Sequence, residues 1–166
     1  LEEAYAAGQR IFGENKAQEM QTKYEALPKD IEWNMIGHLQ TNKVKYLAPF
    51  VSLIHSVDSL KLLEEINKQG KKINRTINCL LQVYIAQEET KFGLDEAEVI
   101  QLVDHFPSEL THVKVKGLMG MASLTESKGQ IRKEFKFLKN LFEKIKQKNT
   151  DLRIEMKELS MGMSAD

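Results

Sequence analysis

Small residues near the end of the chain form a pattern that could bind a phosphate. The stretch ELSMGMSAD, residues 158–166, places Ser160, Gly162 and Ser164 directly after an apolar position. Backbone N–H groups freed by glycine, together with serine hydroxyls, form a concave set of donors that suits an anion. The same residues also suit an ordinary turn, because glycine and serine meet the backbone requirements of turns. The pattern alone leaves both interpretations open.

Other polar side chains could take part in acid/base or ligand chemistry. His38 and His55 could carry protons or bind a metal, but no third ligand has the spacing of a zinc site, so we predict no metal. Asp58 precedes Ser59, where a carboxylate would accept hydrogen bonds from the first N–H groups of a helix. Asn15 closes the run RIFGEN, and its amide could cap a helix or offer both a donor and an acceptor to a ligand.

Methionines occur in two similar stretches. Met119 and Met121 in GLMGM resemble Met161 and Met163 in SMGM. Such residues could fill gaps at two strand ends, or form a flat, polarizable wall against a ring. No Gly-x-Ser-x-Gly elbow and no convincing Cys/His pair is present, so the sequence gives little support to hydrolase chemistry.

These residues follow short apolar runs that alternate with helical patterns. The runs are RIFGEN, EWNMIGH, VSLIHSVD, NCLLQVYI, VKVKGLMG and RIEMKELS. Strict alternation predicts parallel strands joined by right-handed crossovers. A dinucleotide-binding sheet would usually carry G-x-G-x-x-G after an early strand, and that motif is missing. We therefore predict an α/β fold of the (β/α)₈ TIM type, with about six βα units of the roughly 250-residue barrel present.

Apolar residues spaced by three and four predict the helices and the face that each turns toward the sheet. The predicted stripes are Val44 and Leu47; Leu60, Leu63 and Ile66; Ala97, Ile100 and Val103; and Ile131, Phe135, Leu138, Phe142 and Ile145. Thr41, Ser59, Asp95 and Thr125 precede these stripes and are the expected N-caps.

In such barrels the functional groups lie where the strands end, at one rim. The predicted strand ends carry Glu14 and Asn15, Gly37 and His38, His55 to Asp58, Lys91 to Gly93, Met119 to Met121, and Ser160 to Ser164. The opposite ends carry mainly Lys, Arg, Asn and Glu. This asymmetry predicts one functional site at the carboxyl ends of the strands.

Composition narrows the class of protein. The 166 residues contain 24 Lys plus Arg and 24 Asp plus Glu, so no net charge favours nucleic acid as a partner. Cys79 lies in an apolar run and is expected to be a buried core residue, which fits a reducing cytoplasm. No run is long enough to predict a membrane span. Because LEEAYAAGQR reads as a helix already under way, we expect residues 1–166 to be one domain truncated at both ends.

Six motifs in order and spacing carry a resemblance to a known family. They are FGENKAQE (12–19), WNMIGHLQTNK (33–43), HSVDS (55–59), EETKFGL (88–94), GLMGMA (117–122) and LSMGMSAD (159–166). The chain resembles, along its whole length, the pyridoxal phosphate homeostasis proteins, whose fold is similar to the barrel domain of alanine racemase without its second domain. Where the family usually has WHFIGH, this chain has Asn34 and Met35, and altered packing is expected there.

The resemblance implies a cytoplasmic protein that binds pyridoxal 5′-phosphate (PLP) as a Schiff base and manages its supply without strong catalysis. It implies that Ser160, with backbone groups through Met161 and Gly162, holds the phosphate. It places Asn15 beside the ring and has Met119 and the IGH corner (36–38), with His38, line the pocket. PLP-dependent apo-enzymes are the implied protein partners.

The resemblance also says where the remaining parts of the site are expected. The Schiff-base lysine is expected upstream of this chain, and an arginine and a Gly/Thr loop downstream of it. Lys91 lies in a matching motif but is interpreted as a solvated rim residue. Without the flanking strands the barrel is expected to stay open, with two exposed sheet edges.

Two alternatives remain. One is a PLP-dependent racemase or decarboxylase of the same barrel, but such enzymes use a second acid/base residue from outside the barrel. The other is a phosphosugar-binding barrel enzyme, which should carry a strand-end Glu/Lys or Asp/Lys pair, for which Glu14 alone is a poor substitute.

Overall fold

The computed structural model of the protein describes residues 1–87 and 92–162, and within them every predicted strand is present. The strands are β1 Ile11–Glu14, β2 Glu32–Met35, β3 Leu53–Val57, β4 Ile77–Gln82, β5 Val113–Met121 and β6 Ile154–Gly162. The helices are α1 Glu2–Ala6, α2 Ala17–Ala26, α3 Val44–Leu47, α4 Leu60–Lys72, α5 Glu96–Asp104 and α6 Lys128–Lys148, with a 3₁₀ turn at Thr41–Lys43.

The six strands form one parallel sheet in chain order, from β1 at one edge to β6 at the other. The sheet is strongly curved. In a flat sheet β3 and β6 would lie about 14 Å apart, three strand spacings, yet the side chains of His55 on β3 and Ser160 on β6 are in hydrogen-bond contact at 2.9 Å. The architecture is therefore an open half-barrel, which confirms the predicted incomplete (β/α) barrel.

The core lies between the convex face of this sheet and the helices. Trp33, Ile54 and Leu81 from three strands are completely buried there, as is Leu63 from α4. Cys79 on β4 is also fully buried, as predicted, and burial raises the pKa of its thiol. Because the helices cover the convex face, the concave face is left for other groups.

The predicted apolar stripe of α5 is correct at Val103 and wrong at Ala97. Ala97 is exposed, and the buried residues are Val99, Leu102 and Val103. Both sets have helical spacing, so periodicity did not distinguish them. Packing selects the second set, because Val99 and its companions belong to the core cluster.

The predicted stripe of α6 is correct at its C-terminal half only. Leu138, Phe142 and Ile145 are buried, but Ile131 and Phe135 are only half-buried. The buried position in the first half is Glu134, whose carboxylate accepts hydrogen bonds from the backbone N–H (2.8 Å) and hydroxyl (2.6 Å) of Ser123. These bonds compensate for burial of a charged side chain.

Two of the four predicted N-caps are confirmed. The Ser59 hydroxyl accepts from the Leu62 N–H at the start of α4, and Asp95 forms a capping box with Glu98 at the start of α5.

The other two predicted caps are wrong. Thr41 lies inside the 3₁₀ turn that Gln40 precedes. Ser127, not Thr125, caps α6, because the Thr125 hydroxyl instead accepts from the Ser127 N–H within the preceding turn.

A backbone irregularity between β5 and β6 sets how their ends are aimed. β5 advances from Val115 to Gly117 while β6 advances from Ile154 to Glu158, so extra residues are accommodated on β6. At this point Gly117 has φ +154°, and a Cβ there would lie 1.7 Å from the Glu158 carbonyl oxygen. Only glycine fits this close approach of the two backbones.

Gly117→Ala is therefore expected to destabilise the protein by at least about 3 kcal/mol, because it adds a backbone clash to conformational strain. The matched control is Gly8→Ala, at φ +103° but with no atom within 4 Å of the added carbon. That control should cost only about 1–2 kcal/mol. Urea denaturation of both variants measures the difference, and equal losses would contradict the steric account.

Candidate functional site

The carboxyl ends of the strands surround a cavity of about 520 Å³, within the range of small-molecule sites. Its lining residues are Asn15, Ile36, Gly37, His38, Gln82, Phe92, Met119, Gly120, Met121, Ser160, Met161 and Gly162. All six residues predicted to contact the cofactor are in this set. The structure thus brings them together at the predicted rim, and their contact with a cofactor stays a prediction.

The irregularity at Gly117 decides which residues of β5 reach the cavity. Val113 and Val115 belong to the core on the convex side. Uninterrupted alternation would keep Gly117 and Met119 on that side as well. Instead, Leu118 joins the core and Met119 lines the cavity.

The same change of face occurs in β6. Ile154 and Met156 are core residues, whereas beyond the register shift Leu159 packs against the core and Ser160 lines the cavity. Ser160 pairs in register with Met119, and Gly162 with Met121. The hydroxyl and glycine of β6 therefore lie directly beside the two thioether side chains of β5.

His55 supports the polar corner of the cavity from beneath. Its Nδ1 lies 2.9 Å from the Ser160 hydroxyl, and its Nε2 is buried with no hydrogen-bond partner in the part of the chain that the structure describes. Burial lowers the pKa of His55 to about 4. The imidazole is therefore neutral at pH 7.

A second histidine lies at the mouth of the cavity. His38 Nδ1 is 3.3 Å from the Asp58 carboxylate, and its ring stacks on Phe92 with centroids 4.4 Å apart. The expected role of Asp58 at the start of α4 is thus corrected: Ser59 provides that cap, and Asp58 contacts His38. The stacked pair forms a flat wall of the cavity.

Asn15 follows β1 at the same rim and does not cap a helix. The N-cap of α2 is Lys16, and the Asn15 side chain is exposed, with no hydrogen-bond partner among the described residues. Its backbone is held by close packing, because a Cβ on Gly37 would lie 2.3 Å from the Asn15 carbonyl oxygen. The amide of Asn15 is therefore free to bind a ligand.

Sequence reasoning missed the lining residue Gln82. Phe92 lies within the predicted rim stretch Lys91 to Gly93, and Ile36 within the IGH corner that was expected to line the pocket. Gln82 is buried, and its amide donates to the Phe92 carbonyl at 3.2 Å. The sequence does carry a signal for Gln82, because it is a polar residue in the middle of the apolar run NCLLQVYI.

Some predicted features lie outside the described residues, namely Lys91, Met163 and Ser164. Among residues 1–87 and 92–162, no lysine and no carboxylate lines the cavity. Over the same residues, no group of three or more His, Cys, Asp or Glu side chains could hold a metal. Every described helix is also too short or too polar to cross a bilayer.

A half-barrel of parallel strands with a cavity at their carboxyl ends defines an α/β-barrel protein. Comparison with known families specifies which one, because residues 1–166 match the family described as alanine racemase, N-terminal domain. The chain belongs to this family, among the pyridoxal phosphate homeostasis proteins, as its motifs predicted.

Individual relatives agree in sequence and in structure. The chain is 40% identical over 167 residues to the pyridoxal phosphate homeostasis protein of Aquifex aeolicus, covering all of this chain and 72% of that protein. PipY of Synechococcus elongatus PCC7942, solved without PLP, superposes with a TM-score of 0.89 at 34% identity, covering 99% of this chain and 76% of PipY. PipY with PLP bound gives a TM-score of 0.82 at 33% identity over the same shares.

Burial of His55 predicts a pH-dependent stability. Its pKa is about 4 in the folded protein and 6.5 in an unfolded chain, so between these values the unfolded state binds more protons. The free energy of unfolding should therefore fall by up to about 3 kcal/mol as pH drops from 6.5 to 4. Chemical denaturation at several pH values measures this slope.

The control for this measurement is another histidine. His55→Gln should flatten the dependence of stability on pH, whereas His105→Gln, at an exposed position, should leave most of the slope. Identical slopes in the two variants would contradict the assignment to His55.

Proposed function

We propose that this chain binds PLP in the cavity at its strand ends and serves in intracellular PLP homeostasis. The proposal rests on one observation. Ser160 and Gly162 on β6 pair with Met119 and Met121 on β5, and all four residues line the cavity. A phosphate requires hydrogen-bond donors, and a pyridine ring requires flat apolar surface. One cavity offers both, side by side.

The chemistry of the lining fits PLP. Donors are provided by the Ser160 hydroxyl and the Asn15 amide, and no described carboxylate lines the cavity to repel a phosphate dianion. His55 beneath Ser160 is neutral, so its contribution there is a hydrogen bond rather than a charge. The volume of about 520 Å³ leaves room for a ring with its phosphate.

The residues divide into roles along the cavity. Ser160, Met161 and Gly162 would hold the phosphate, Asn15 would contact the ring substituents, and Met119 would support one side of the ring. His38, stacked on Phe92, would close the mouth. The names and the PLP-bound structure of the relatives support PLP as the ligand.

PLP itself supplies a reactive carbonyl that forms an imine with amines and draws electrons from what it holds. We propose that its covalent partner is a lysine outside the described residues, since no described lysine lines the cavity. The resemblance predicts that lysine upstream of Leu1.

We further propose that the site holds PLP rather than transforming an amino acid. The relatives are named for homeostasis, a role other than catalysis. The residues would form one barrel domain acting in the cytoplasm, with PLP-dependent apo-enzymes as recipients. The alternative is a PLP-dependent racemase or decarboxylase, which would require an acid/base group at the ring.

Borohydride reduction after addition of PLP tests the proposal, because it converts an imine into a stable adduct. Intact-mass analysis should show one PLP per molecule of the full-length gene product, at one lysine, and no stoichiometric adduct on the isolated 166-residue chain. An adduct at a described lysine of the isolated chain would contradict the site assignment. No adduct on either protein would contradict PLP binding, and turnover of alanine or other amino acids would favour the enzyme.

A further inference from the structure

We propose that His55 is a positioning residue that directs the Ser160 hydroxyl into the cavity as a hydrogen-bond donor to an anion. The inference rests on the proposed function and deepens it, since the anion would be the phosphate of PLP. His55 is not among the residues that line the cavity. It therefore acts through Ser160.

The contact between the two residues spans the barrel. His55 is on β3 and Ser160 on β6, with β4 and β5 between them in the sheet. The two strands are not paired with each other through their backbones. The direct link between the two residues is the 2.9 Å contact of His55 Nδ1 with Ser160 Oγ. This hydrogen bond crosses the concave face of the sheet, whereas the core lies on the convex face. Packing of the core alone therefore does not require it.

The proton on the imidazole decides what Ser160 can do. If Nδ1–H donates to the Ser160 oxygen, the hydroxyl hydrogen is free for a ligand, and Nε2 is a bare acceptor. If the hydroxyl donates to Nδ1, the proton is on Nε2, where a buried N–H would have no acceptor among the described residues. Orphaned buried N–H groups are rare in folded proteins.

A bound anion strengthens the preference for the first arrangement. An anionic oxygen beside Ser160 accepts the hydroxyl hydrogen, which leaves the serine oxygen to accept from Nδ1–H. The low pKa of His55 keeps the imidazole neutral. The bound anion therefore determines which ring nitrogen carries the proton and leaves the charge of the ring unchanged. Phosphate binding and the His55 tautomer are thereby coupled.

The first test is ¹⁵N NMR of the histidine side chains in the full-length gene product at pH 7. With PLP bound, His55 should show a protonated Nδ1 and an unprotonated Nε2. Pyridoxal, which has no phosphate, should shift this tautomer less. A His55 that carries its proton on Nε2 in the PLP complex would overturn the proposal while leaving PLP binding intact.

The second test is a double-mutant cycle read out as the ratio of PLP to pyridoxal affinity. His55→Leu and Ser160→Ala should each lower this ratio by about tenfold, the effect of one charge-assisted hydrogen bond. Because His55 acts through Ser160, the double variant should lose no more than Ser160→Ala alone. His55→Asn, whose amide can donate from a similar position, should restore most of the ratio.

Other outcomes have distinct meanings. Equal losses of PLP and pyridoxal binding in His55→Leu would mean that His55 only supports the fold, which overturns the proposal. Additive losses in the double variant would also overturn it, because the two residues would act independently. A wild-type protein that binds neither compound would overturn the proposed function itself, and the inference with it.

Discussion

The packing of all crossover helices against one side of a curved parallel sheet is the constraint on which the rest of the structure depends. Parallel strands require long connections, and these connections are helices that bury the convex face. The convex side chains, such as Trp33, Ile54 and Leu81, are therefore apolar and completely buried. The concave face does not have to stabilise a helix, so it can carry polar groups at the strand ends.

Curvature turns this free face into a site. In a flat sheet His55 and Ser160 would be too far apart to interact, whereas in the half-barrel they are bonded. The register shifts within β3–β4, β4–β5 and β5–β6 accompany this curvature. The shift at Gly117 has a further effect, because it moves Met119 to the cavity side of β5. The backbone irregularity therefore determines which side chains of β5 line the cavity.

Much of this arrangement follows from local sequence. Apolar runs separated by helical patterns predicted six parallel strands, and the distinctive residues at their ends predicted the rim where Asn15, His38, Met119 and Ser160 lie. Caps with a strong local signal, such as Asp95 with Glu98, were predicted for the same reason. These features depend on a few neighbouring residues.

The features that sequence did not reveal depend on contacts between distant segments. Two sets of apolar residues with helical spacing overlap in α5, and only packing selects Val99 over Ala97. The change of face at Gly117 arises where β5 meets β6, and the partner of His55 lies 105 residues further along the chain. Asp58 likewise contacts His38 rather than its own helix.

A crystal structure of the full-length gene product grown with PLP would test most directly whether this cavity is the PLP site. We expect the phosphate beside Ser160 and Gly162, with the ring against Met119 and within reach of Asn15. Density for PLP at a different surface, with this cavity filled only by solvent, would contradict it.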